Sequence, residues 1–541
     1  MSLAIALRRP FWMIPWFGPK RPAPALFSLS GMAPLLLALG AGAAGVGGFL
    51  PWNQPWLLIL ALAVLFRLAV EAPPGRAALL GFVFGLGHFT AGFAWLLTSL
   101  HTHGHLALPV AVALLLLLAA YCALFPALSA WVLSWMAPSP GLLPWAAPAL
   151  WVLSEWLRAT LFSGFAWNLA GYALSFRDPL AQVADWGGIY LLSWLAALPA
   201  AVLAGLFRPG LRPARAVGLL LPLAALLAAH LYGDARWRDL ERRPPGAPLA
   251  VGVVQASIPQ QTKWTPSGRK ASVRQHVRLT REIPGPLDLV VWPETAIPFF
   301  FQLDDDARAV LDALSGEVGA PLLTGVPTLE ARDGLELEQS AALDAFNSVV
   351  LIQHNQDEWP RYDKVHLVPF GEFIPFRDWI PPLFDAFVQG TGDFTPGEAP
   401  ETLSWDKGDI GPLICYEALL TDLVGALADQ GAEWLVNVTN DGWFAEEAKY
   451  QHLAMARLRA LEYRLPLIRV ANTGITAAYD QLGRQVAMIP SNQRRGMRIE
   501  IHRGSGESPY RERGGASFWL GCFAVMVEVS WLAAAWGRRR R

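Results

Sequence analysis

Long apolar runs broken by short polar stretches fill the first 231 residues, after which the periodicity changes. Runs of the length needed to cross about 30 Å of hydrocarbon lie near 29–49, 53–70, 77–100, 107–136, 143–162, 187–206 and 216–231, with an eighth at 516–536. LALPVAVALLLLLAAYCALF (106–125) contains no charge, whereas 53–70 carries Arg67 and 216–231 is short. FWMIPWF (11–17) reads as an aromatic interfacial segment.

Between 232 and 515 short β-branched runs take over: LAVGVVQAS (249–257), LDLVVWP (287–293), PLLTGVP (321–327), NSVVLIQ (347–353), GPLIC (411–415), WLVNVT (434–439) and LIRVAN (467–472). Amphipathic stretches near 268–283, 305–318, 419–430 and 446–464 alternate with them. Such alternation predicts an α/β fold around a sheet-centred core. ERRPPGAP (241–248) reads as the linker into it. The organisation expected is therefore a seven-span helical domain at 1–231, a globular domain at 232–515, and a final span with a basic tail at 516–541.

Composition supports this division. Charged residues are 16% of the 541, against about 25% in an ordinary soluble domain. The net charge of -1 and the lack of a long basic stripe outside the termini give no sign of a nucleic-acid partner. The three cysteines form no CxxC pair, so neither a disulfide framework nor a thiolate zinc site is expected, and no metal or other cofactor is called for. Cys122 and Cys522 lie in apolar runs as small hydrophobes; Cys415 lies in the polar half.

Lys and Arg set the orientation. Arg8, Arg9, Lys20, Arg21, Arg67, Arg76, Arg208, Arg212, Arg215 and Arg538 to Arg541 fall on one side. The opposite short loops, near 50–52, 101–106 and 163–186, contain only Arg177. Both termini are expected in the cytoplasm, and 232–515 on the far side of a bacterial inner membrane, in the periplasm.

Three stretches bear the candidate chemistry: VVWPETAIP (290–298) with Glu294, RYDKVHLVPFGEFIP (361–375) with Lys364 and Glu372, and GPLICYEALL (411–420) with Cys415 and Glu417. Taken singly, each has a plain structural explanation: a solvated loop carboxylate, an exposed lysine, a buried inert thiol. Together they form a coherent set, because sheet enzymes gather functional groups at the carboxyl ends of strands. A cysteine attacks as thiolate and needs a base or a lowered pKa. Glu294 is a candidate base, and Lys364 a candidate partner for thiolate and oxyanion, with a backbone N–H after Cys415. Glu372 close to Glu294 would raise the pKa of one carboxyl of the pair.

The set resembles the Glu–Lys–Cys triad of the nitrilase superfamily, in order and local context. With eight spans, the chain looks like a member of the apolipoprotein N-acyltransferase family of bacterial inner membranes. Further matches are IPQQTKW (258–264), NVTNDGWF (437–444), QHLAMARLRALEYRLPLIRVANTGIT (451–476) and GFAWNLAGY (164–172).

The resemblance implies an α/β/β/α sandwich for 249–505 on a multi-pass helical membrane domain. It implies transfer of an acyl chain from a phospholipid, typically phosphatidylethanolamine, to the α-amino group of a lipoprotein's diacylglyceryl-cysteine. The implied route is ping-pong, through a thioester on Cys415. Glu372, Glu417 and Tyr416 are implied as supporting residues, and Trp167, Trp264, Asn347, Trp443 and Phe444 as lipid or substrate-access contacts. Glu155 and Arg158, late in the fifth span, read as an ion pair or as headgroup contacts.

The chain departs from the family pattern at AEEAKYQH (445–452), where glycines and a Gly-Pro-aromatic step are usual, at Ala166 in place of proline, and at Phe346 in place of tyrosine. The alternatives are a membrane-tethered nitrilase-type amidase, an N-acyltransferase with another amine acceptor, and a transporter or scaffold with an inactive nitrilase-like domain.

Overall fold

A computed structural model describes residues 31–206, 213–332, 337, 343–356, 358–375 and 393–539. The segment FWMIPWF and several of the orienting Lys and Arg residues lie outside them.

Eight helices form the apolar part among the described residues. They are Ala33–Gly45 (extended by the turn Val46–Gly48), Pro55–Glu71, Pro74–Gly92, Leu108–Met136, Leu143–Thr160, Ala184–Leu206, Pro213–Arg242 and Ala516–Arg539. Three, Leu108–Met136, Leu180–Leu206 and Ala516–Arg539, are long and apolar enough to cross a membrane by length and composition. Small residues set the packing: a Cβ on Gly81 would lie 2.5 Å from the Pro126 carbonyl oxygen, and one on Gly85 would lie 2.8 Å from Ala123 Cα. The close crossing of Pro74–Gly92 with Leu108–Met136 therefore requires glycine. Arg67 is paired with Glu71 one turn on, at 2.6 Å, which explains how a charge sits in that helix. The seventh helix runs beyond the expected end at 231 to Arg242. Its last turns are charged, and pairs such as Arg238–Asp234 at 2.6 Å sustain them.

The α/β part holds two sheets. The first, in spatial order β11-β1-β2-β3-β4-β5, uses β1 (Pro248–Gln255), β2 (Leu289–Val291), β3 (Leu322–Ala331), β4 (Leu343–Ile352), β5 (Arg361–Asp363) and β11 (Arg495–His502). The second, β10-β9-β8-β7-β6, uses β6 (Ile410–Ile414), β7 (Trp434–Thr439), β8 (Leu467–Ala471), β9 (Thr476–Tyr479) and β10 (Gln485–Ile489). The runs β1–β2–β3 and β6–β7–β8 are parallel.

Strand alternation dictates the layering. Val251, Leu289 and Leu323 of the first sheet meet Ile414, Val436 and Val470 of the second in one apolar layer. The alternate positions face outward: Val254 and Val290 pack under the helices Pro266–Arg281 and Asp305–Val318. Leu413 and Leu435 pack under Thr421–Asp429 and Glu446–Tyr463. The result is an α/β/β/α sandwich, the nitrilase-like fold. Each large aliphatic side chain in these layers contributes about 1.5–3 kcal/mol by burial.

Candidate active site

The strand ends converge. β2 delivers Glu294 three residues past its end, β6 runs directly into Cys415, and β5 is followed at once by Lys364. Gly325 of β3 permits the approach, since a Cβ there would come within 2.5 Å of Glu294 Cα.

Glu294 Oε2 accepts the Asn440 N–H at 2.7 Å, and Oε1 accepts Asn347 Nδ2 at 3.0 Å. The same Asn347 amide donates to Glu372 Oε1 at 2.7 Å, so one carboxamide bridges both acids. Glu372 Oε2 in turn pairs with Lys364 Nζ at 2.7 Å and accepts the Val368 N–H at 2.9 Å. Lys263 Nζ donates to the Glu294 carbonyl at 3.2 Å from within the protein. Asn347, expected on the access side, therefore sits between the two acids.

Electrostatics follows from this packing. Burial pushes the Glu294 carboxyl above its ordinary value, with Lys364 opposing and Glu372 reinforcing. Burial works against the Lys364 ammonium, but Glu372 and Glu294 outweigh it and hold its pKa above normal. For Lys263 burial wins, lowering the pKa to about 8. Burial raises the Cys415 thiol and the Glu294 carboxylate raises it further, against the pull of Lys364. A thiol so raised stays protonated unless a base takes its proton.

Cys415 stands at a φ of 53°, in the left-handed region. Glu417 pins the turn after it. Its Oε1 accepts from Tyr362 Oη at 3.0 Å, Val365 N at 2.8 Å and His366 N at 3.2 Å, and its Oε2 accepts from Ile414 N at 2.8 Å. Glu417 therefore clamps the Lys364 loop to the Cys415 elbow. Burial raises its pKa to about 7.

Loops between the membrane helices close over this edge. Tyr416 Oη accepts the Ala166 N–H at 3.0 Å, and its ring stacks between Phe165 and His366. Trp167 is fully buried, donates to Gln451 Oε1 at 2.6 Å, and packs on Trp95 and Phe444. Trp443 meets His103, and its carbonyl accepts Ser99 Oγ at 2.7 Å. Trp264 is half-buried, just past the short helix Gln260–Lys263. Glu155 and Arg158 are buried and serve the loop: Glu155 accepts the Ala170 N–H at 2.7 Å, and Arg158 donates to the Trp167 carbonyl at 2.8 Å. In the divergent 445–452 stretch, Glu446 pairs with Lys449 at 3.0 Å and accepts from Ser491 Oγ.

The relatives match this two-part architecture. The carbon-nitrogen hydrolase family model matches residues 250–508, and that of the apolipoprotein N-acyltransferase N-terminal domain matches residues 41–202. An apolipoprotein N-acyltransferase of Geobacter metallireducens is 37% identical over 508 residues, covering 92% of this chain and 93% of the relative. The chain belongs to the apolipoprotein N-acyltransferase family. Another member, from Methylococcus capsulatus, is 34% identical over 522 residues, 94% of this chain and 97% of its own length. The protein is accordingly a membrane-associated acyltransferase of the carbon-nitrogen hydrolase superfamily.

A polar cluster under Cys415, made of Asn437, Asp441, His452 and Arg469, was not foreseen among the site residues. One signal for it exists in the sequence: Arg469 interrupts the otherwise apolar run LIRVA, and a buried charge demands a built partner set.

Proposed function

We propose that the protein moves an acyl chain from a phospholipid to the α-amino group of the N-terminal diacylglyceryl-cysteine of lipoproteins, through a thioester on Cys415. The observation that carries this reading is the hydrogen-bonded set Glu294–Asn347–Glu372–Lys364 beside the partly buried Cys415, whose thiol feels both Glu294 and Lys364, beneath loops from the membrane helices. Glu294 takes the thiol proton as sulfur attacks the ester carbonyl. Lys364 and a backbone N–H after Cys415 hold the resulting oxyanion. Collapse expels the lysophospholipid alkoxide, which receives the proton back from Glu294. The lipoprotein amine then attacks the thioester, Glu294 accepts its proton, and the thiol is regenerated as the amide forms.

The donor is expected to be phosphatidylethanolamine. Both substrates are lipids, so aromatic loops at the membrane edge suit their access, with Trp443, Phe444, Trp167 and Trp264 around the path. We further infer eight spans, both termini in the cytoplasm and the domain 232–515 in the periplasm of a bacterial inner membrane. The eight helices and the one-sided distribution of Lys and Arg support this arrangement.

The test is mass spectrometry of the purified full-length protein incubated with phosphatidylethanolamine, then with a diacylglyceryl lipopeptide. An acyl adduct on Cys415 that passes to the peptide amine is the expected result. Absence of the adduct, or an equal adduct on C415S at neutral pH, sinks the mechanism. Adduct without transfer points to another acceptor.

A further inference from the structure

The backbone of the nucleophile is held by a fully buried polar set that the triad chemistry leaves unused. Cys415 adopts a left-handed conformation, which a non-glycine residue keeps only where its surroundings enforce it. Its carbonyl oxygen lies 3.3 Å from Asn437 Nδ2 on β7 and 3.2 Å from His452 Nε2 on the helix Glu446–Tyr463. A carbonyl oxygen only accepts, so Nε2 carries the imidazole proton.

The other ring nitrogen faces one acceptor and one donor. Nδ1 lies 3.1 Å from Asp441 Oδ1 and 3.2 Å from Arg469 Nη2. Burial and the adjacent Arg469 guanidinium lower the pKa of the ring while Asp441 opposes them; Nδ1 accepts from Arg469 when the ring is neutral and donates to Asp441 when it carries a second proton. Asp441 is balanced separately: its Oδ2 receives Arg469 Nη2 at 2.7 Å and its Oδ1 receives Thr439 Oγ1 at 2.9 Å. Arg469 also donates to Asn437 Oδ1. A guanidinium has no acceptor, so this bond turns the amide of Asn437 and aims its Nδ2 at the carbonyls of Leu413, at 3.0 Å, and Cys415. Two elements thus meet at one carbonyl, β7 and the helix Glu446–Tyr463, and Arg469 of β8 holds both of their side chains.

We propose that His452 is a positioning residue for acyl transfer. With Asn437 it grips the Cys415 carbonyl and fixes the left-handed turn that presents the thiol to Glu294 and Lys364. Two donors on this carbonyl also polarise the Cys415–Tyr416 peptide, strengthening the N–H that faces the developing oxyanion. The imidazole contacts Trp167 and Phe444 on its other side, with ring centroids 5.8 Å away in each case. It therefore joins the aromatic wall to the nucleophile's backbone.

The inference rests on the acyl-transfer reading, and the experiment separates the two. Full-length wild type is first mixed with phosphatidylethanolamine vesicles, and Cys415 acylation is followed by rapid quench and mass spectrometry. No burst in wild type overturns the acyl-transfer reading itself. H452Q, H452N and H452L are then compared at saturating phospholipid. Gln carries an amide N–H to the place of Nε2, whereas Asn reaches only the place of Nδ1. H452L and H452N are expected to slow acylation by roughly 10–100-fold, somewhat less than loss of a direct oxyanion donor. Their KM for phospholipid should stay within about twofold, the signature of an interaction that matters in the transition state alone. H452Q is expected to recover to within about fivefold of wild type, as an isosteric donor should. Acylation by H452N within threefold of wild type, or H452Q as slow as H452N, overturns the proposal. The Gln–Asn pair, equal in polarity, decides the matter even where H452L fails to fold.

Discussion

Desolvation favours the neutral form of both the buried Glu294 and the partly buried Cys415, and in the proposed reaction each supplies what the other lacks. A thiol raised by burial is a poor nucleophile, and a carboxyl raised by burial is a stronger base than an ordinary one. The pH dependence follows in sign. In the proposed role of base Glu294 must be ionised, and its pKa is raised by burial. Acylation should therefore fall as pH drops through a value above the ordinary carboxylate range near ~4.3. Single-turnover rates across pH measure this, and a limb at or below that range contradicts the assignment. E294Q should slow acylation by roughly 10²–10⁴-fold.

Glu417 is a different kind of carboxylate, an acceptor for three backbone N–H groups and the Tyr362 hydroxyl. Gln in its place brings donors to a site built of donors, at about 1–3 kcal/mol for each N–H left unpaired. E417Q is expected to lower the thermal unfolding midpoint and to slow acylation through the loosened Lys364 loop; wild-type values for both would refute the clamp. Glu294 and Cys415 stood out as candidates because each falls next to a recognisable strand end, and Lys364 because it lies in the motif RYDKVHLVPFGEFIP. Glu417's task was not legible, because three of its four donors come from residues 362–366, some fifty positions away.

Among the elements, the loop between Leu143–Thr160 and Ala184–Leu206 is the most consequential. It packs Trp167, Leu169, Tyr172 and Leu174 into the apolar core and is held by Glu155, Arg158, Tyr416 and Gln451. Y416F removes the acceptor for the Ala166 N–H, about 1 kcal/mol. Hydrogen exchange at Ala166 should then rise roughly fivefold, and unchanged protection would show that Tyr416 does not hold the loop. The parallel strands were readable as β-branched runs, since strands buried on both faces carry continuous apolar sequence. β5, β9, β10 and β11 were not read. RYD is too short to show a period, and β10 is a solvent-facing edge with an irregular burial sequence. β11 does alternate, with Ile499 and Ile501 inward and Arg498 and Glu500 outward, yet its charges hide it beside the apolar runs.

The two parts of the protein are joined by buried charge as well as by chain continuity. Asp185, at the start of Ala184–Leu206, pairs with Arg464 at 2.9 Å and Arg236 at 2.7 Å, and Arg464 also donates to Gln182 Oε1. Glu462 Oε1 accepts the Ile189 N–H at 2.7 Å, and Arg457 reaches Asp178 at 2.6 Å. Truncating one member of such a pair leaves a buried charge uncompensated, at about 3–5 kcal/mol. D185A should lower the unfolding midpoint in detergent and speed proteolysis between the two parts, with D185N milder. Wild-type resistance in D185A would mean that the docking does not depend on this pair.

The apolar runs, the α/β alternation and the residues at strand ends are local properties, and hydrophobic periodicity and strand chemistry carry them in the one-dimensional chain. The partner sets are not local. A carbonyl gripped by Asn437 and His452, or an arginine from 464 closing on an aspartate at 185, exists only after strands and helices distant in sequence have packed. Desolvation makes those groups intolerable alone and stable only together. The chain alone therefore names the acid, the lysine and the thiol. Packing decides which buried groups hold them in register and how the membrane loops reach them.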